Sequence, residues 1–80
     1  MQKALITTSQ IRAARVLIRW TANDLSINSG VGISTIKRLE VMEGVPAINV
    51  STMLAIQSAL ENAGVEFIGS PDDRPGVRLK

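Results

Sequence analysis

The stretch "SGVGISTIKRLE", residues 29–40, decides the fold. On a helical wheel of about 100° per residue, Ile36 and Leu39 fall on one side, with Thr35 and Glu40 at its margins. Ile33, Ser34, Lys37 and Arg38 fall on the other. Two cations, a hydroxyl and an isoleucine directed outward need something to meet. An inner face that ends in a glutamate needs a cation.

Upstream, "WTANDL" (20–25) starts another helix. Thr21 is an N-cap with Asp24 three residues on, and Trp20 and Leu25 stand where a hydrophobic staple needs them. Gly30 closes that helix as a C′ glycine. Gly32 caps the next one, with Val31 and Ile36 as its staple. A helix over 22–29, a turn Gly30-Val31-Gly32 and a helix over 33–40 form the helix-turn-helix pattern.

Two more helix starts follow the same grammar. "ITTSQI" (6–11) gives a Thr7–Gln10 capping box with an Ile6–Ile11 staple and a helix over 8–19, which has no glycine stop. "INVSTM" (48–53) places Ile48 and Met53 around Asn49 and opens a helix over 50–63, closed by Gly64. The first helix turns Ile11, Ala14, Leu17 and Ile18 inward, with Arg12 and Arg19 opposite and Arg15 at the edge of the stripe. The last buries Val50, Met53, Ile56 and Leu60. Beyond it the period becomes two: "GVEFI" and "GVRLK" alternate around the turn-rich "GSPDDRP". Strands at 65–68 and 76–80 make a hairpin, which must lean on the bundle, pair with a second copy, or both.

The expected class is mainly α, a four-helix bundle followed by a C-terminal β-hairpin. The bundle takes residues 1–64 with the helix-turn-helix at 21–40. The hairpin takes 65–80 and is a candidate dimerisation element.

Eighty residues make one domain. Without cysteine or histidine there is no disulfide scaffold, cysteine nucleophile or histidine base, and the usual metal ligands are missing. No phosphate-binding loop accompanies the hydroxyls and acids, so neither an enzyme nor a cofactor is expected. No apolar run spans a bilayer, and "MQKALITTSQ" lacks a secretion signal, so the expected location is the cytoplasm. Charge is lopsided. Residues 1–40 hold six cations (Lys3, Arg12, Arg15, Arg19, Lys37, Arg38) against two acids, a net of +4. Residues 41–80 hold three against five, a net of −2. A basic half suits a polyanion partner, although a solvated, uneven surface would read the same way.

The helix over 33–40 fits the major groove, which is about 12 Å wide. In that setting Arg38 is the leading base reader, because a guanidinium can grip guanine O6 and N7 together. Ser34 can bond a base or a phosphate, or remain a first-turn hydroxyl. Ile33 can pack on a thymine methyl, lie exposed, or meet a protein. The expected phosphate contacts are Arg19, Thr21, Ala22, Gly32, Thr35 and Lys37: two cations, with the caps and first turns of the two helices.

Residues 7–60, through "QIRAARVLIRWTANDL", "SGVGISTIKRLE" and "STMLAIQSAL", resemble the phage-repressor-like (lambda-repressor-like) helix-turn-helix domains of the XRE family. The resemblance covers about two-thirds of the chain. It implies a helical domain, commonly a DNA-binding homodimer acting in transcription, with the hairpin here in place of a fifth helix. It also implies an ion pair between a first-helix arginine and an acid ending the third helix. Arg15 and Glu40 stand at those places, and the wheel independently puts both at the border of their apolar faces. Arg15 on a phosphate is the alternative role. Three positions depart from the family pattern. Ala22 stands where a glutamine is common, Ser26 where an alanine packs, and the loop "VMEGVPAI" carries Glu43 and no cation. Val41, Met42 and Val45 in that loop, with Ile27, would form an apolar surface for a second copy or another protein.

The expected function is therefore a sequence-specific regulator, a repressor, on double-stranded DNA. The alternative is an antitoxin-like or adaptor module that binds another protein.

Overall fold

The computed structural model describes residues 5–80; Lys3, counted in the basic half, lies outside the described residues. Its elements are α1 (Thr8–Leu17), α2 (Ala22–Ser29), α3 (Ile33–Leu39), α4 (Val50–Asn62), β1 (Val65–Ser70) and β2 (Asp73–Leu79).

Local chemistry sets the helix starts. The Thr7 hydroxyl accepts from Gln10 N–H at 3.1 Å, and Thr7 N–H donates to the Gln10 carboxamide oxygen at 2.8 Å. Thr21 and Asp24 make the same exchange at 3.1 and 2.8 Å. The Asn49 side chain accepts from Thr52 N–H at 2.8 Å. Each satisfies a first-turn amide that would otherwise lack a partner.

The end of α1 departs from the expected reach to residue 19. The helix stops at Leu17, and Arg19 takes the left-handed conformation at φ 60°. Arg19 N–H donates to the Val16 carbonyl at 3.0 Å and Trp20 N–H to the Arg15 carbonyl at 2.8 Å. That pair of bonds is the Schellman closure, with an arginine where glycine is the usual residue.

The hairpin is longer than expected. Its register pairs Val65 with Leu79, Phe67 with Val77, Ile68 with Gly76 and Ser70 with Asp73. Gly69 alone opposes Arg74 and Pro75, so the ladder carries a bulge there. The bulge accommodates a proline that has no N–H to give. A Cβ on Gly69 would collide with the Arg74 carbonyl, so this position requires glycine.

Four helices and a C-terminal hairpin are present, but helices take only about half of the chain, which corrects the class of mainly α, and the hairpin leans on the bundle, one of the alternatives the sequence left open. Val65 is fully buried with Ile6, Ile11, Leu25, Ile36, Leu39, Ile56 and Leu60, and Phe67 and Val77 pack against them. The Gln10 carboxamide nitrogen donates to the main-chain carbonyls of Ile68 at 3.1 Å and Gly76 at 2.9 Å. One side chain therefore caps α1 and bonds both strands. Two residues assigned to the core are not in it: Val50 is 70% exposed and Leu17 40%. They are the first residue of α4 and the last of α1, at helix ends that no neighbouring element covers. Among the described residues, no helix is long and apolar enough to cross a membrane.

Two outcomes are expected. Gln10→Ala removes three hydrogen bonds and leaves two hairpin carbonyls short of a partner, so chemical denaturation should show a loss of roughly 2–4 kcal/mol. A loss under about 0.5 kcal/mol, the scale of a neutral surface change, would show that Gln10 does not join the hairpin to α1. The second concerns Glu66, which faces Arg78 across the strands at 3.0 and 3.2 Å. The Arg78 hydrogen bond, and then its charge, hold the Glu66 carboxyl below its ordinary value of 4.5. A depressed folded pKa stabilises the fold above the ordinary carboxylate range and stops doing so as pH falls through the lowered value. The stability difference between parent and Glu66→Gln should therefore shrink on acidification; a difference that grows would contradict the pairing.

Candidate nucleic-acid interface

The helix-turn-helix is built from the turn outward. Gly30 supplies the left-handed residue at φ 77°. Ser26 then donates its hydroxyl to the Val31 carbonyl at 2.6 Å, and the Ser29 hydroxyl accepts from Val31 N–H at 3.2 Å. Both main-chain groups of Val31 are thus satisfied by serines of α2. This tie was missed in the sequence, although Ser26 stood out there for replacing a packed alanine. Leu25, Ile36 and Leu39 are fully buried, which fixes the inner faces of both helices.

The far end of α3 is held from α1. Arg15 donates through Nε to Glu40 Oε2 at 2.9 Å and through Nη2 to Oε1 at 3.0 Å. Its Nη1 donates to the Trp20 carbonyl at 2.9 Å. The Arg15 side chain is 19% exposed and that of Glu40 11%, so the pair is shielded from solvent. One guanidinium links the corner before α2 to the residue that ends α3. Arg12, on the solvent side of α1, also has a partner: Nη1 donates to the Glu40 main-chain carbonyl at 2.9 Å. A cation at a helix C-terminus is favoured by the free carbonyls and the helix dipole.

With its inner face and C-terminus held, α3 turns the other face outward. Ser34, Lys37 and Arg38 are exposed. Ile33, expected to be directed outward with the cations, is half-buried, because as the first residue of α3 it lies beside the turn. Gly32 is exposed and Thr35 half-buried. Thr21 and Arg19 are exposed and Ala22 is half-buried at the start of α2. There the Asp24 carboxylate already sits on Thr21 N–H, so a negative charge occupies part of the amide cluster expected to face a phosphate.

The cations divide into two groups. Arg12, Arg15, Arg74, Arg78 and Lys80 each bond a carboxylate or a main-chain carbonyl. Among the described residues, Arg19, Lys37 and Arg38 have no such partner. The expected apolar surface is smaller than the sequence implied. Val41 is 79% exposed, Ile27 71% and Val45 36%, but Met42 packs partly buried against the core. Glu43 is exposed beside them. No cluster of metal-ligating side chains is found among the described residues.

No protein-family model matches this chain, and no curated protein matches it.

Removing either member of the shielded pair leaves a charge in a poorly solvated place. Glu40→Ala should cost about 3–5 kcal/mol in equilibrium unfolding. A cost below about 1 kcal/mol, the scale of a surface pair, would mean that the pair does not hold α3.

Proposed function

We propose that the protein is a sequence-specific regulator of transcription, a repressor, that inserts α3 into the major groove of double-stranded DNA. The observation that carries this reading is the set of unpartnered cations on a fixed helix. Lys37 and Arg38 stand exposed with Ser34 on the outward face of α3, while its opposite face and its end are locked to the domain. Solvated cations are common on surfaces. Here they share an arc with a hydroxyl, on a helix narrow enough for the groove.

Roles follow from side-chain chemistry. Arg38 grips guanine O6 and N7, a pairing worth about 1–3 kcal/mol of discrimination. Ser34 bonds a base edge or a phosphate. Ile33, half-exposed, offers methyl groups to a thymine. Lys37, a point charge, meets phosphate, and Thr21, Ala22, Gly32 and Thr35 line the backbone on either side. The domain measures 29 × 26 × 24 Å. Those extents are compatible with two copies side by side on half-sites one helical turn, about 34 Å, apart. A homodimer also offsets a weak grip by each copy, because phosphate neutralisation supplies most non-specific affinity and few cations here are free.

The second reading, a protein-binding module of antitoxin or adaptor type, is favoured by one observation. The loop after α3 carries exposed Val41, Val45 and Glu43 and no cation. Elution from heparin at very low salt would favour its adaptor form, which does not bind DNA; the antitoxin form binds DNA to regulate itself.

Selection of bound duplexes from a random pool tests the leading reading. The parent should enrich a pseudo-palindrome, and Arg38→Ala should relax preference at one position of each half-site. Uniform weakening at every position would reduce Arg38 to a phosphate contact, and no enrichment by the parent would overturn the regulator reading. Glu43→Lys should tighten binding several-fold on selected and unselected duplexes alike, because it replaces a repelling charge beside the groove. Unchanged affinity would place the α3–α4 loop away from DNA.

A further inference from the structure

Arg19 occupies a position where an arginine does nothing for the fold. The Schellman closure of α1 demands a left-handed residue there, and Arg19 supplies it at φ 60°. A side chain disfavours that conformation, whereas glycine adopts it freely. Nor does the side chain repay the strain locally: it is exposed and bonds no described residue. Backbone strain that no hydrogen bond or ion pair of the side chain offsets is a pointer to function.

The surroundings say which function. Arg19 precedes Trp20, whose carbonyl accepts from Arg15, and the same guanidinium holds Glu40 at the end of α3. Along the chain Arg19 is thus one residue from one end of the clamp, and Arg38 is two residues from the other. Arg19, Lys37 and Arg38 are also the cations without an intramolecular partner among the described residues.

We infer that Arg19 contacts a DNA phosphodiester on the flank of the groove, and that a strained arginine is kept at this corner at the expense of stability. The inference rests on the DNA-binding reading above. It separates two properties that a purely structural residue would move together.

Arg19→Gly tests it. The substitution relieves the strain and removes the charge. The melting temperature should rise, on the order of 5 °C. Affinity for a duplex selected by the parent should fall several-fold, and the slope of log affinity against log salt should become shallower by about 0.9, the value of one phosphate contact. Arg19→Lys, which keeps both charge and strain, should stay close to the parent in all three measurements. If the parent binds and Arg19→Gly binds with equal affinity and slope, the inference fails while the DNA reading stands. A lower melting temperature for Arg19→Gly would overturn the strain argument. If the parent binds no duplex even at low salt, both fall.

Discussion

The Arg15 guanidinium is the point on which this domain's geometry depends. Its three bonds join α1 to the corner before α2 and to the residue that ends α3. A planar fork with fixed donor directions can do this; a lysine ammonium, one charge on a flexible stem, cannot hold a carboxylate and a carbonyl in two set directions. The pair is shielded, so it acts in a medium where charges interact more strongly than in bulk water. Shielding also costs solvation, so the pair contributes geometry more than net stability. What it fixes is the azimuth of α3, and hence which side chains face outward. Arg12 adds a second tether to the same residue, from one turn earlier on α1.

How much of this was legible depended on whether the deciding interaction was local. The starts of α1, α2 and α4 were readable because Thr7, Thr21 and Asn49 bond an amide three residues on, within a single turn. The turn between α2 and α3 was readable because a left-handed residue called for Gly30. The stop of α1 was not, since the same conformation falls on Arg19, which no sequence rule favours there. The place of the hairpin in the core was not readable either. Gln10 reaches carbonyls 58 and 66 residues away, and its pattern in sequence shows only the capping box it also makes. Periodicity placed Val50 and Leu17 on apolar faces but could not say where neighbouring elements end. At the candidate site, the outward position of Ser34, Lys37 and Arg38 followed from the wheel. That Arg12 is engaged and Arg19 is not required coordinates.

The surface around α3 is electrostatically mixed. Unpartnered cations offer attraction, while Asp24 at the start of α2 and Glu43 in the following loop oppose it. On the proposed reading, charge alone would give such a surface a loose hold on DNA, and selectivity would rest on a few directed contacts. Val41 and Val45 are exposed in the loop that follows α3.

If the outward face of α3 meets DNA, a map of amide chemical shifts recorded as a duplex is added to isotopically labelled protein at low salt will register it. The largest changes should fall at residues 19–24 and 32–43. Those on the outer face of α1 and on the hairpin should stay small. Changes concentrated on α1 and the hairpin, or no changes at all, would contradict that contact.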